Sequence, residues 1–266
     1  MKGSNYSAEE IYGLLTYTLH LISMSRYGPY FVVKGGTALM DKVLDKNMGQ
    51  LFRKTQDIDL HLSNKAIWIS FLADVSTILN SNQHGIKYEV TKVRSIDKLK
   101  GNLDKSDSID LLVTPPNRDS IKIKIDMNIK SDDIIGIELS NRLNMKTYDL
   151  LTMLTDKLVV ASSPRIFRRV KDMYDIVVIS CISDFYIDSI YKMLKLKHGH
   201  EYLSGCYITS EYSDMLSHAY SKYDGILCNV LAEQLRSMAH AFYTPIYLKE
   251  HNLLWKSSMQ KWVSLT

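Results

Sequence analysis

Cysteine is scarce in this chain of 266 residues, and the three that occur, Cys181, Cys206 and Cys228, lie far apart. An odd, scattered set without ligand spacing argues against a disulfide framework or a zinc site and for free thiols in a reducing compartment. Long apolar runs are also missing, both as an N-terminal signal core and at membrane-spanning length. We therefore expect a soluble, cytoplasmic protein with no membrane partner.

Neither sign of charge is in large excess: the formal net charge is +4, with 45% hydrophobic and 23% charged residues, as in ordinary globular proteins. Such mild basicity permits a nucleic-acid partner without requiring one. The chain has no Gly-x-x-x-x-Gly-Lys-[Ser/Thr] loop and no Gly-x-Gly-x-x-Gly fingerprint, so a P-loop NTPase and a dinucleotide-binding fold are not supported. It also shows no Ser/His/Asp or Cys/His catalytic set.

A glycine pair follows a short apolar strand at Phe31–Val33 and precedes a predicted helix. Glycines at such a junction let backbone N–H groups approach a phosphate, and the Thr37 hydroxyl adds a further polar group. Two nearby cations, Lys34 and Arg53, either face the phosphates or lie on the surface with packed stems. The residues predicted to bind nucleotide here are Lys34, Gly35, Gly36, Thr37 and Arg53.

Two carboxylates, Asp57 and Asp59, lie on the next predicted strand, Asp57–Leu62. Residues i and i+2 of a strand point to one face, so the two charges repel unless a divalent ion compensates them; oxygen ligands suit Mg²⁺ or Mn²⁺. If the alternating strand Ile121–Met127 pairs beside it, Asp126 becomes a third carboxylate, as two-metal phosphoryl transfer requires. The alternative is a solvent-facing strand edge or a turn cap.

Lys157 lies in an otherwise apolar helical stretch and therefore needs a partner, which a triphosphate would provide. A structural ion pair with Asp156 or Asp172, or a solvated face, is the alternative. Asp172 and Asp175 share one helix face, where they either pair with neighbouring cations or orient Lys157. The densest basic cluster, which either tracks a nucleic-acid backbone or forms a solvated face, consists of Arg165, Arg168, Arg169 and Lys171.

Secondary-structure patterns divide the chain into a mixed-sheet part, residues 1–145, and a helical part, residues 146–266. The capping box Ser7–Glu10 opens a helix through about Ser25, and Asn64–Leu79 forms another. A polar loop is expected over Asp45–Lys54. In the second part we expect helices from Asp149, from Pro164, and over Asp184–Leu196, Ser210–Tyr220, Ile226–Phe242 and Leu248–Val263. The fold class is thus α+β.

Several motifs occur in order over about residues 30–180: Lys34–Leu39, Arg53–Leu60, Lys122–Asp126, Asp156–Leu158 and Lys171–Ile176. Together they resemble the AbiEii/MenT-type nucleotidyltransferase toxins of the DNA polymerase β-like superfamily. The resemblance implies a polymerase β-like core and an enzyme of a toxin–antitoxin or abortive-infection (phage-defence) system. Such an enzyme transfers a nucleoside monophosphate from an NTP with Mg²⁺, in several relatives to the 3′ end of tRNA, and has a cognate antitoxin.

Carried over by motif, the resemblance makes Thr37 the small hydroxyl residue beside the glycines. It makes Asp57 and Asp59 the metal-binding pair, Lys157 the triphosphate-binding lysine and Asp172 a distal catalytic acid. The leading hypothesis that follows from the resemblance is a nucleotidyltransferase acting on RNA, with tRNA as the expected acceptor. The alternatives are the same chemistry on a protein or small-molecule acceptor, and a non-catalytic protein that only senses nucleotide.

Overall fold

The computed structural model describes residues 6–94, 107–130, 134–206, 208, 212–223 and 231–265. The chain forms two compact units. The first comprises Met1–Asp41 and Lys54–Tyr148, and the second comprises Lys42–Arg53 and Asp149–Thr266. The segment Lys42–Arg53, which the sequence analysis placed with the sheet, thus groups with the helical unit, where Tyr174 donates a hydrogen bond to the Leu51 carbonyl at 3.2 Å.

The first unit is built on a mixed sheet with helices. The strands are β1 (Val32–Lys34), β2 (Asp57–Leu62), β3 (Lys87–Arg94), β4 (Asp107–Thr114), β5 (Ile121–Ile129), β6 (Ile137–Ser140) and β7 (Met145–Tyr148). The helices are α1 (Ala8–Ser23), the start of α2 (Gly35–Asp45) and α3 (Lys65–Asn80). At the start of α1, the Ser7 side chain accepts from the Glu10 N–H and Glu10 accepts from the Ser7 N–H, which confirms the predicted capping box.

The strand order β3-β4-β5-β2-β1-β7-β6 puts β2 in the middle of the sheet. β5 runs parallel to β2 with Asp126 opposite Asp59, so the condition on which the third carboxylate depended, that these two strands pair, is met. β1 runs antiparallel to β2 on its other side, with Lys34 opposite Asp59. The topology therefore brings the carboxylate-bearing strand between the strand that leads into the glycine pair and the strand that carries Asp126.

Alternation along the strands decides which face is buried. On β2, Ile58 and Leu60 have no exposed area, whereas Asp57 and Asp59 are half-buried. On β5, Ile123, Ile125 and Met127 are buried in the same way. One face of the sheet thus forms the core and the other presents charged side chains, as a period of two in the sequence requires.

The second unit is mainly helical. It contains the end of α2, then α4 (Leu150–Ala161), α5 (Val170–Ile182), α6 (Ile187–His198), α7 (Ser213–Tyr220) and α8 (Ala232–Tyr247). A 3-10 helix spans Pro164–Arg168 before α5, and another, Gly49–Leu51, lies in the segment predicted to be a loop. The predicted helix starts at 210 and 226 lie outside the described residues.

The predicted helix over Leu248–Val263 is wrong. The structure has a hairpin there, β9 (Leu253–Lys256) and β10 (Lys261–Ser264), and β8 (Phe185–Tyr186) pairs with β9. Trp255 donates to the Ser180 carbonyl at 2.8 Å, and Trp262 donates to the Phe242 carbonyl at 3.1 Å. Because these bonds and the packing of both indoles against α5 and α8 are tertiary, local periodicity did not reveal the strands.

Candidate active-site residues

The carboxylates of Asp57 and Asp59 lie on one face of the central strand β2. The residues between and after them, Ile58 and Leu60, point into the core with no exposed area, which fixes the two aspartates on the opposite face. Both carboxylates are half-buried. The strand therefore places both carboxylates on one face, as the i, i+2 spacing predicted.

Gly35 lies directly against the Asp59 side chain. Its φ is +67°, a left-handed conformation that favours glycine, and a Cβ at this position would lie 2.7 Å from Asp59 Cγ and closer still to Oδ2. A side chain at residue 35 would thus occupy the space that the Asp59 carboxylate fills. The first glycine of the pair therefore has a second use besides a tight strand-to-helix junction, which is to make room for a carboxylate.

Thr37 is fully buried in the first turn of α2, and its hydroxyl donates to the Asp57 carbonyl at 2.8 Å. The hydroxyl therefore holds α2 against β2 in the structure, and its predicted contact with nucleotide stays a prediction. Gly35 is flanked in the chain by Lys34 and Gly36. Lys34 lies opposite Asp59 in the sheet, and Gly36 lies in the first turn of α2. The predicted phosphate-binding junction is thus continuous with the carboxylate strand.

Asp126 is beside Asp59 in the sheet register, but its carboxylate pairs with Lys124, whose Nζ lies 2.6 Å from Oδ1 and 2.8 Å from Oδ2. Within the described residues, no three acidic, histidine or cysteine side chains form a group that could hold a metal ion. The sequence analysis did not assign Lys124 to this site, although Lys124 and Asp126 are two apart on one strand and must share a face.

A divalent ion fits the chemistry of the Asp57/Asp59 pair. The donors are all carboxylate oxygens, the ligand type that Mg²⁺ and Mn²⁺ prefer. The space that a side chain at residue 35 would take is given to the Asp59 carboxylate instead. The Asp57/Asp59 pair thus offers the oxygen donors that a hard cation prefers, and metal binding by this pair and by the neighbouring Asp126 stays a prediction.

In the second unit, Lys157 on α4 pairs with two carboxylates of α5. Its ammonium bonds Asp172 Oδ1 and lies 2.9 Å from Asp175 Oδ2. Asp175 is in turn bound by Arg53, at 2.7 Å from Nε and 2.9 Å from Nη2. Four charges are therefore largely buried together, with 14% of the Lys157 side chain exposed and 6% or less of the other three. We call Arg53, Lys157, Asp172 and Asp175 the buried charge cluster.

Mutual attraction keeps this cluster charged. Burial alone would lower the pKa of Lys157, but the Asp175 and Asp172 carboxylates outweigh it and raise the pKa above its ordinary value. Burial likewise opposes ionisation of Asp175, yet Arg53 and Lys157 hold the pKa of that carboxyl well below its usual range. Both groups are therefore fully ionised at neutral pH.

The structure shows which ion pairs these charged residues form. Asp172 and Asp175 do pair with Lys157, and Arg53 lies in a bidentate pair with Asp175. Asp156, the other partner considered for Lys157, pairs instead with Lys197 at 2.8 Å and with His198. Predicted roles for Lys157 and Arg53 with nucleotide stay predictions.

The basic segment Arg165–Lys171 lies next to this cluster along the chain. Arg165, Arg168 and Arg169 are exposed, and Lys171 is half-buried. Arg169 Nε lies 2.6 Å from Asp172 Oδ2, so this exposed arginine shares a carboxylate with Lys157. The segment occupies a 3-10 helix and the start of α5, where four cations occur within seven residues.

Comparison with known proteins identifies the class. The model of the family described as "Nucleotidyl transferase AbiEii toxin, Type IV TA system" matches residues 19–259. The chain therefore belongs to this family: it is a nucleotidyltransferase, a transferase of phosphorus-containing groups, and a toxin of a type IV toxin–antitoxin system. The family recognised from the motifs is confirmed, and membership implies an NTP substrate and an antitoxin partner.

Among solved structures, the chain is similar to MenT4, a nucleotidyltransferase toxin from Mycobacterium tuberculosis H37Rv. The TM-score is 0.51 at 15% identity, over 89% of this chain and 84% of that one, which supports the predicted fold class. No curated protein matches the chain. In the part of the chain that the structure describes, none of the helices has the length and apolar character needed to cross a membrane.

Proposed function

We propose that this protein transfers a nucleoside monophosphate from an NTP to the 3′ end of an RNA, with tRNA as the acceptor. The observation that carries the proposal is the Asp57/Asp59 pair on one face of β2, with Gly35 shaped to the Asp59 carboxylate. In the reaction, the 3′-hydroxyl oxygen of the acceptor bonds to the α-phosphorus and the hydroxyl proton passes to solvent. The bond between the α-phosphorus and the oxygen that bridges to the β-phosphate breaks, and pyrophosphate leaves with that oxygen.

Asp57 and Asp59 are the residues that would hold Mg²⁺, with Asp126 joining them when it leaves Lys124. When bound, the ion neutralises phosphate charge and lowers the pKa of an attacking hydroxyl. At the adjoining junction, the backbone N–H groups of Gly35 and Gly36 and the Lys34 ammonium would bind phosphate oxygens. Lys157 would supply a point charge for the triphosphate, and the Asp175 and Asp172 carboxylates keep that lysine charged.

The basic segment Arg165–Lys171 supports an RNA acceptor. Arginine side chains bind phosphates bidentately, and a group of exposed cations binds nucleic acid mainly through its backbone. Arg165, Arg168 and Arg169 are exposed arginines, with the half-buried Lys171 beside them, whereas a small-molecule acceptor needs no such extended surface. An RNA acceptor therefore accounts for more of the chain than the alternatives do.

The test uses purified protein, Mg²⁺, total tRNA and each of the four α-labelled NTPs in turn. We expect label on tRNA with release of pyrophosphate, and no label on tRNA whose 3′-terminal diol was destroyed by periodate. Asp59→Asn should abolish labelling without unfolding the protein. The matched control is Asp74→Asn, because Asp74 is an exposed carboxylate that pairs with Arg26 in the same unit.

Each other result has a defined meaning. Label on periodate-treated tRNA contradicts transfer to the 3′ end. Label on protein or on a small molecule, with none on tRNA, supports the alternative acceptors. Nucleotide binding without pyrophosphate release supports a nucleotide-sensing protein and contradicts the proposed chemistry.

A further inference from the structure

Asp175 is the most enclosed member of the buried charge cluster. None of its side chain is exposed, and its two oxygens receive three bonds: two from the Arg53 guanidinium and one from the Lys157 ammonium. A fork of two parallel N–H bonds to a carboxylate fixes its plane as well as its position. Asp175 is therefore an anchor whose geometry is set by Arg53.

Lys157 depends on such an anchor. A lysine ammonium is a point charge on a flexible four-carbon stem, so its own chain does not fix where the charge lies. The Lys157 ammonium is held by two carboxylates, those of Asp172 and Asp175, which lie one turn apart on the same face of α5. A cation placed in advance binds a triphosphate without an ordering cost at the moment of binding.

Asp172 and Asp175 hold Lys157 in different ways. Asp172 shares its second oxygen with Arg169, whose side chain is 55% exposed and belongs to the basic segment. Asp175 shares its oxygens with Arg53, whose side chain is only 4% exposed. The Asp172 contact is thus connected to a surface cation, whereas the Asp175 contact is enclosed in the interior.

We propose that Asp175 is a positioning residue that holds the Lys157 ammonium in place for the NTP triphosphate, and that Arg53 acts by binding Asp175. This rests on the proposed function, since it takes Lys157 as the triphosphate-binding group. It changes the expectation for Arg53, which the sequence analysis assigned to the nucleotide itself. A guanidinium with both a bidentate partner and almost no exposed area serves the carboxylate.

The experiment compares Asp175→Asn with the wild-type protein in three measurements. The first is NTP binding, measured by titration with a fluorescent NTP. The second is the KM for NTP and the kcat of transfer to tRNA. The third is the rate at which an N-hydroxysuccinimide ester acetylates Lys157 at pH 8, followed by mass spectrometry. We expect NTP affinity to fall and KM to rise about tenfold, with kcat changed much less, because a pre-placed charge acts on binding.

Acetylation provides the readout that a merely structural role would not move. In Asp175→Asn, Lys157 loses one of its two carboxylates while Arg53 stays nearby, which favours the neutral amine of Lys157. A pKa of Lys157 that is lower by about one unit should accelerate acetylation about tenfold. Asp156→Asn is the matched control, because Asp156 precedes Lys157 and binds another lysine, Lys197, that is also 14% exposed. In that variant the Lys157 rate and the NTP affinity should equal those of the wild type.

If Asp175→Asn does not fold, the double variant Arg53→Met/Asp175→Leu replaces the buried pair by apolar side chains of similar size, a change that cores tolerate. It should fold and show the same loss of NTP affinity and faster acetylation. Unchanged NTP affinity in either folded variant overturns the proposal, whether or not acetylation accelerates. If the wild type transfers no nucleotide, the proposed function fails, while NTP titration and acetylation still decide the role of Asp175.

Discussion

The Asp59 carboxylate occupies the space beside Gly35 that a side chain there would need, with a Cβ at residue 35 falling 2.7 Å from Asp59 Cγ. The glycine lies at the end of β1 and the aspartate on the neighbouring strand β2, so the relationship is a tertiary one. It couples the predicted phosphate-binding junction to the carboxylate pair, because a side chain at residue 35 would displace the Asp59 carboxylate.

Gly35→Ala is expected to abolish transfer. The left-handed backbone and the collision with Asp59 both oppose the new side chain, so the variant should lose metal binding as well as activity. Mn²⁺ binding followed by electron paramagnetic resonance checks this. Gly13→Ala is the control, because nothing lies within 4 Å of that Cβ in the middle of α1, and it should stabilise the protein by about 0.5–1 kcal/mol. Normal Mn²⁺ binding in Gly35→Ala would contradict the argument.

Lys124→Met should strengthen divalent-ion binding. Lys124 Nζ binds both oxygens of Asp126, the carboxylate opposite Asp59, so it competes with a metal for that residue. Removing one positive charge within a few ångströms should lower the Mn²⁺ dissociation constant by roughly tenfold. Lys122→Met is matched in strand and charge, and it should change the constant little. Weaker Mn²⁺ binding in Lys124→Met would show that the lysine does not compete with the ion.

Charge reversal in the basic segment should weaken tRNA use selectively. Arg165→Glu/Arg168→Glu removes two exposed cations, so we expect KM for tRNA to rise on the order of tenfold or more and its salt dependence to become shallower. NTP affinity should be preserved. The control with the same change of charge is Lys192→Glu/Lys195→Glu, on the exposed side of α6. Equal losses in both double variants would point to net charge rather than to a binding surface.

Arg53→Met should destabilise the second unit strongly. It leaves Asp175 buried with one cation instead of two, and breaking a buried ion pair costs about 3–5 kcal/mol. Urea unfolding of the single and double variants measures this, and Arg53→Met/Asp175→Leu should recover much of the loss. A single variant as stable as the wild type would mean that the guanidinium does not support Asp175.

Protonation of Asp184 should destabilise the C-terminal hairpin at low pH. Hydrogen bonds from the Ser257 N–H and hydroxyl and from Lys256 lower its pKa to about 2. A carboxyl with a lowered folded-state pKa stabilises above its unfolded value, about 3.9, and that stabilisation is lost as the pH falls towards 2. A ¹³C titration of the Asp184 carboxyl should show its midpoint near pH 2 in the folded protein. In Ser257→Ala, which removes the hydroxyl bond and keeps the N–H bond, the midpoint should move up; an unchanged midpoint would contradict the hydrogen bond assigned to the Ser257 hydroxyl.

Local patterns in the sequence were informative wherever a residue's role depends on its neighbours along the chain. The capping box at Ser7, the helix at residues 65–80 and the alternation of β5 each follow from short-range geometry. The pairing of β5 beside β2 could only be posed as a condition from the sequence, because strand neighbours are chosen by the tertiary structure. The hairpin at residues 253–264 did not follow from local patterns, because its tryptophans are held by carbonyls of α5 and α8.

The sequence by itself determined the family, the two carboxylates on one strand face and the glycine pair before them, because these are fixed by spacing within a few residues. Only the tertiary structure decided which charges meet. It joined Arg53 to Asp175 across 122 positions and gave Lys157 the carboxylates of both Asp172 and Asp175. Ion pairs between distant segments depend on packing that brings the segments together, and spacing along the chain carries no record of it.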